Sequence, residues 1–245
     1  MKIHAIYKNS VLLLVCLLSI SLKIYANECV ILLHGLARSD SSFTKLASTL
    51  NNHGYTAINY NYPSTEHKIN RLAEDAITDA LSQCPKQDKV KNQIHFVTHS
   101  MGGILVRQYL SANTIENLGR VVMLGPPNKG SQVVDKLKDV PGFKLINGPA
   151  GMQLGTGEMS VPNKLGAANF ELGVVAGTRS INLILSTMLP GKDDGKVTVE
   201  NTKLAGMNDH IALPVTHPFM MKNNQVISQV LYFLNNGYFL KKDNL

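Results

Sequence analysis

What most constrains the fold of this chain is an alternation. Short apolar runs at 29–33, 55–60, 94–98, 120–124 and 172–177, with a weaker one at 203–207, are separated by stretches that repeat like helices. The runs are continuous rather than alternating, as strands buried on both faces are. Between the first two, Phe43, Leu46, Ala47 and Leu50 mark a helix over about 42–53, stopped by Gly54. Ile69, Leu72, Ala73, Ala76, Ile77 and Ala80 form an unbroken stripe before Pro85. A third helix follows Ser100 through Ile104, Leu105, Gln108 and Tyr109, and a last one spans about 219–234, with Pro218 in its first turn. Strand–helix alternation of this kind predicts an α/β fold, a mostly parallel sheet of about six strands with helices on both faces.

The 245 residues suffice for one domain with a proper core. Residues 1–26 read as an export signal: Lys2 and Lys8, the apolar run VLLLVCLLSISL, then Ala26 as a small cleavage residue. Lys23, Ile24 and Tyr25 spoil the cleavage region, which leaves an uncleaved anchor open. The expected product is a single domain over 27–245, exported to a periplasm or secreted. Removing 1–26 deletes three Lys and no acid, so the formal charge falls from +7 to +4. That excess calls for no nucleic-acid partner, and no nucleic-acid motif is present. Cys29 and Cys84 remain; in an oxidising compartment they can pair, and the alternative is two buried thiols. Residues 125–169 are rich in Pro and Gly with little periodicity beyond a short helix near 133–137. They read as an irregular insertion, either a cover over a site or a surface excursion.

The chemistry lies in HFVTHSMGG at 95–103. Ser100 falls between a strand and a helix, the context of a nucleophile elbow, where a strained turn pushes the hydroxyl out at the sheet's end. Gly102 and Gly103 supply the small neighbours that such a turn needs, whereas Thr98 fits only if its side chain turns outward. In ILLHGLARS at 31–39, the strand ends in His-Gly beside the elbow strand. The amides of Leu36 and Met101 can then aim at a developing oxyanion, with His34 fixing the loop. A hydroxyl needs an imidazole as base, and the imidazole needs a carboxylate. His217 precedes the last helix and is the expected base, with His210 its competitor in the same loop. His99 adjoins Ser100 and is expected to point away. For the acid, Asp194 in PGKDDGKVTVE sits on a turn, with Asp193 and Asp209 as alternatives.

Together these residues resemble the α/β-hydrolase superfamily, and within it secreted bacterial lipases and esterases. VILLHGL at 30–36 is similar to the oxyanion segment of that group and VTHSMGG at 97–103 to its serine elbow. VVMLGPPNKGS at 121–131 is similar to the segment after the next strand, DDGKV at 193–197 to the acid turn, and THPF at 216–219 to the histidine loop. Thr98 stands where a Gly is usual and Asn128 where lipases often place His. The resemblance implies a compact α/β-hydrolase fold cleaving carboxylic esters through an acyl-enzyme, with Ser100, Asp194 and His217 as triad. It implies no metal and no organic cofactor. It implies a small-molecule or lipid ester as substrate and leaves room for transient contact with a membrane surface. An acyltransferase built on the same triad, or a binding module on the same fold, are the competing readings.

Overall fold

The computed structural model describes residues 28–85 and 92–241; the predicted export signal lies outside them. Six strands form one sheet: β1 (Cys29–Leu33), β2 (Thr56–Tyr60), β3 (Ile94–His99), β4 (Leu118–Leu124), β5 (Leu172–Gly177) and β6 (Asp209–Leu213). Their order is β2-β1-β3-β4-β5-β6, and every pair is parallel. The chain runs outward from β1 to β2 through α1 (Thr44–Asn52). It then crosses back over β1 through α2 (Ile69–Ser82) to reach β3. The direction of winding therefore reverses between β1 and β3, and the crevice at their carboxyl ends is where open α/β sheets hold ligands.

Side chains alternate across the sheet. Val30, Leu32, Val97, Val122 and Leu124 face α1 and the last helix, α9 (Asn224–Asn236), and join a core with Phe43, Val226 and Phe233. Ile31, Leu33, Phe96, Val121 and Met123 face α2 and α3 (Met101–Leu110), with Ile77 and Ile104. Both faces are sealed, which is why these strands read as unbroken apolar runs.

Register brings the strand ends together. Leu33 lies opposite Thr98, and His99 opposite Leu124, so the segments after β1, β3 and β4 leave the sheet along one edge. At the opposite edge, Cys29 and Cys84 form a disulfide with a Cα–Cα distance of 5.8 Å. It ties the start of β1 to the end of α2 across 55 positions, worth about 4 kcal/mol in the chain-entropy model.

Two elements differ from the sequence reading. The sixth strand is Asp209–Leu213 and not 203–207, which holds the turn around Gly206 (φ 82°). The final helix begins at Asn224, capped by the Asn223 side chain; His217–Lys222 form a separate 3-10 turn with Pro218 inside it. The stretch after β4 carries three short helices, α4 (Gln132–Leu137), α5 (Phe143–Gly151) and α6 (Val161–Lys164). Two more, α7 (Leu183–Ser186) and α8 (Val199–Thr202), flank the acid-bearing turn.

The insertion is held by a buried cation. Arg107 of α3 donates to the carbonyls of Asn128 (3.0 Å), Pro162 (2.9 Å) and Gly166 (2.8 Å). Among the described residues it makes no ion pair, and burial lowers its pKa to about 10. Asn128 in turn donates from Nδ2 to the Thr202 carbonyl at 2.8 Å. Where lipases often carry a histidine, this chain therefore has a buried amide that joins the insertion to α8.

Candidate active site

Ser100 ends β3 and begins α3 with φ 54° and ψ −121°. Among the described residues only Ala37 and Ser100 have positive φ without being glycine. Such a conformation costs about 1–3 kcal/mol and is held here from both sides. The Ser100 amide donates to the Leu124 carbonyl (2.9 Å), and its own carbonyl accepts from the Gly103 amide (3.1 Å). Gly102 is required by close approach, because a Cβ there would stand 2.4 Å from the Leu33 carbonyl oxygen.

Thr98 is fully buried and does not turn outward. Its Oγ1 has no hydrogen-bond partner and lies 3.2 Å from where a Gly103 Cβ would be, so Gly103 makes the room. An unpaired buried hydroxyl costs roughly 1–3 kcal/mol. Thr98→Val keeps the shape and removes that group, so urea melts should show stability rising by about 1 kcal/mol; a loss of stability would show that the hydroxyl is satisfied in solution.

The loop after β1 is pinned beside the elbow. His34 stacks on Tyr62 with centroids 4.1 Å apart. Its Nε2 accepts from the Tyr62 amide (3.3 Å), which leaves Nδ1–H to donate to the Gly35 carbonyl (2.9 Å). Burial, more than any other influence, lowers the His34 pKa and keeps the ring neutral. The Tyr62 hydroxyl donates to the His34 carbonyl, and Ser64 Oγ accepts from the Ala37 amide at 3.0 Å. A Cβ on Gly35 would lie 3.1 Å from the Ser100 Cβ, so this loop touches the elbow. Among the described residues, neither the Leu36 nor the Met101 amide has a hydrogen-bond acceptor.

Asp194 is 1% exposed and fully engaged. Its Oδ1 accepts from the amides of Lys196 (3.0 Å) and Val197 (2.9 Å), and its Oδ2 faces His217 Nδ1 at 2.7 Å. The His217 amide also donates to the Asp194 carbonyl at 2.9 Å, so the pair is joined through backbone and side chain. Proton on Nδ1 leaves Nε2 as an acceptor, and His217 and Ser100 line the same cavity of about 90 Å³. Among the described residues none shares a hydrogen bond with the Ser100 hydroxyl; catalytic contacts of this kind often close only around substrate.

The competitors are placed elsewhere. Asp193 Oδ1 accepts from Ser186 Oγ and the Gly195 amide, both at 2.7 Å. Asp209 binds Lys241 and the amides of His210 and Phe239. His210 lies on β6, not in the loop, with Nε2 3.0 Å from Thr202 Oγ1. His99, expected to point away, instead lines the cavity. Its ring lies 4.6 Å from that of His217, and its Nε2–H donates to the His217 carbonyl at 2.9 Å. Burial first, and then His217, holds its pKa well below the ordinary value, so it serves as a neutral support under the histidine loop.

The rest of the cavity has an apolar wall of Leu36, Val133, Val134, Phe143 and Leu154, and two exposed cations, Arg38 and Lys196, also line it. Sequence reasoning singled out none of these except Leu36. Among the described residues, no cluster of His, Cys, Asp or Glu could hold a metal ion, and no helix is long and apolar enough to cross a membrane.

Solved structures with the same fold include the mature lipase BlEst2 of Bacillus licheniformis, at 21% identity and TM-score 0.62 over 85% of this chain and 92% of that one. Phospholipase PlaB from Legionella pneumophila shares 15% identity at TM-score 0.67, over 86% of this chain and 59% of that one. The metagenomic carboxyl esterase MGS0156 shares 17% at TM-score 0.60, over 78% and 65%. No curated protein matches the chain significantly. The sequence itself matches the model of the alpha/beta hydrolase family from residue 30 to residue 194, from the first strand through the acid turn, and the chain belongs to that family.

Proposed function

We propose that this protein is a serine hydrolase of carboxylic esters, working through an acyl-enzyme. The observation that carries the reading is the buried 2.7 Å contact between Asp194 and His217 Nδ1 at the cavity that holds Ser100. His217 Nε2 takes the Ser100 proton as Oγ bonds to the ester carbonyl carbon. The Asp194 carboxylate fixes the tautomer and supports the imidazolium that forms. The carbonyl oxygen, now an alkoxide, meets the amides of Leu36 and Met101, each such donor being worth about 3 kcal/mol in comparable sites. Collapse breaks the bond to the alcohol oxygen, which leaves with the proton from His217. Water then enters by the same steps in reverse order, releasing the acid and restoring Ser100.

The enclosed volume is well below the roughly 300–1,000 Å³ of pockets for drug-sized ligands, which favours a short acyl group against the Val133–Phe143 wall. Exposed Leu145 and Ile146 lie on α5, the helix whose Phe143 and Asn147 line the cavity, and suit transient contact with a lipid surface. The Cys29–Cys84 disulfide supports an oxidising compartment, periplasmic or extracellular.

A fluorophosphonate probe tests the reading. Wild-type protein is expected to label at Ser100, and Ser100→Ala is not. A folded wild type that fails to label would leave a binding module instead. Ester products formed when a second alcohol is added would convert the reading to acyl transfer.

A further inference from the structure

We propose that Arg38 and Lys196 form an anion subsite at the mouth of the cavity, selecting esters whose leaving alcohol carries a phosphate. The inference rests on the hydrolase reading above and names its substrate class.

Both residues are exposed, both line the cavity, and they come from its two catalytic segments. Arg38 follows Leu36 by two positions and Lys196 follows Asp194 by two. Among the described residues neither side chain has an ion pair or hydrogen bond. Several exposed cations there are matched to acids, as Arg71 is to Asp75 and Lys241 to Asp209, and others, such as Lys144 and Arg179, are not. What sets Arg38 and Lys196 apart is that they line the cavity that holds Ser100 and His217. Desolvation of the Lys196 amine, and next the Arg38 charge, lower the Lys196 pKa, although the residue as a whole reaches solvent. Two cations are thus held within electrostatic reach of one another over one cavity. The carboxylate that acts on Lys196, Asp194, already serves two amides and His217. Like charges gathered in a cleft raise the local concentration of an anion.

The side of the ester follows from the chemistry. His217 returns its proton to the departing alcohol, and Lys196 lies on the turn that holds His217. The apolar wall of Val133, Val134, Phe143 and Leu154 comes from the insertion and suits the acyl chain. A phosphate on the alcohol would then meet the two cations while the acyl group stays in the apolar pocket. Charge-assisted contacts of this kind correspond to about tenfold or more in specificity.

The experiment compares 1-butyrylglycerol 3-phosphate with 1-butyrylglycerol, which share one acyl group and form no interface. Wild-type kcat/KM should favour the phosphate ester at least about tenfold at low salt, with the ratio shrinking as ionic strength rises. In the Arg38→Gln/Lys196→Gln double variant the ratio should fall towards one. Calorimetry gives a readout independent of turnover: glycerol 3-phosphate should bind the wild type and not the double variant, and more tightly than inorganic phosphate. Equal kcat/KM for the two esters in the wild type, a preference that survives the double substitution, or equal binding of inorganic phosphate overturns the proposal. If neither ester is cleaved while glycerol 3-phosphate binding still depends on both residues, the anion site stands and the hydrolase reading falls.

Discussion

Ser100→Ala is expected to lower kcat on a short-chain ester by on the order of 10⁶, with the Ser100→Ala/His217→Ala pair no lower than either single change. In the proposed mechanism the two residues act in one step, so removing either leaves the other with nothing to do. The residual rate expected is what the proposed oxyanion donors, the Leu36 and Met101 amides, and binding in the cavity would supply. His210→Ala is the control. Its ring is tied to Thr202 on β6, so kcat should stay within about tenfold while some stability is lost with the contact. Steady-state kinetics with melting curves for each variant decide the matter. If the double variant is far slower than both singles, the two residues act separately and the relay is wrong.

Much of the frame that brings these groups together is legible in the sequence, for a reason that also explains the exceptions. Strands β1, β3, β4 and β5 are central and covered on both faces, so burial alone dictates an apolar run. Strand β6 is an edge with only Leu213 buried, and it opens with Asp209 and His210, which look like turn residues. Its first residue is held by distant partners, Phe239 and Lys241, that no local pattern reveals. The 203–207 run has suitable composition, but Gly206 bends it and Leu204 packs beneath as part of a turn.

The orientation of His99 was within reach of simple alternation. Val97 faces α1 and α9, so His99, two residues on, faces the same side. The segment 217–222 packs on that side through Met220 and Met221, which brings the two histidines into contact. Adjacency to Ser100 suggested divergence, and the face of the sheet decided otherwise. Thr98 follows the same rule on the opposite face, under α3. Arg38 and Lys196 could not be picked out in the sequence, because an exposed cation on a loop is ordinary until the fold sets two of them over one cavity.

The choice between neighbouring carboxylates carries the sharpest consequence for the triad. Asp194→Asn is expected to reduce kcat by on the order of 10⁴, the loss that follows when an amide replaces the orienting carboxylate in a serine triad. The new side chain can keep its carbonyl towards the amides of Lys196 and Val197. Its NH₂ group then faces His217 Nδ1 and can only donate. The imidazole must present a lone pair at Nδ1 and carry its proton on Nε2, where it cannot take one from Ser100. Geometry survives while the tautomer is wrong. Asp193→Asn meets no such conflict, because its carbonyl can go on accepting from Ser186 and Gly195. Its kcat should therefore stay within about tenfold of wild type, the usual limit for a change that leaves the reacting groups in place. Equal losses for the two variants, with melting curves showing both folded, would mean that the acid turn supports the histidine as a unit and that Asp194 has no separate electrostatic role.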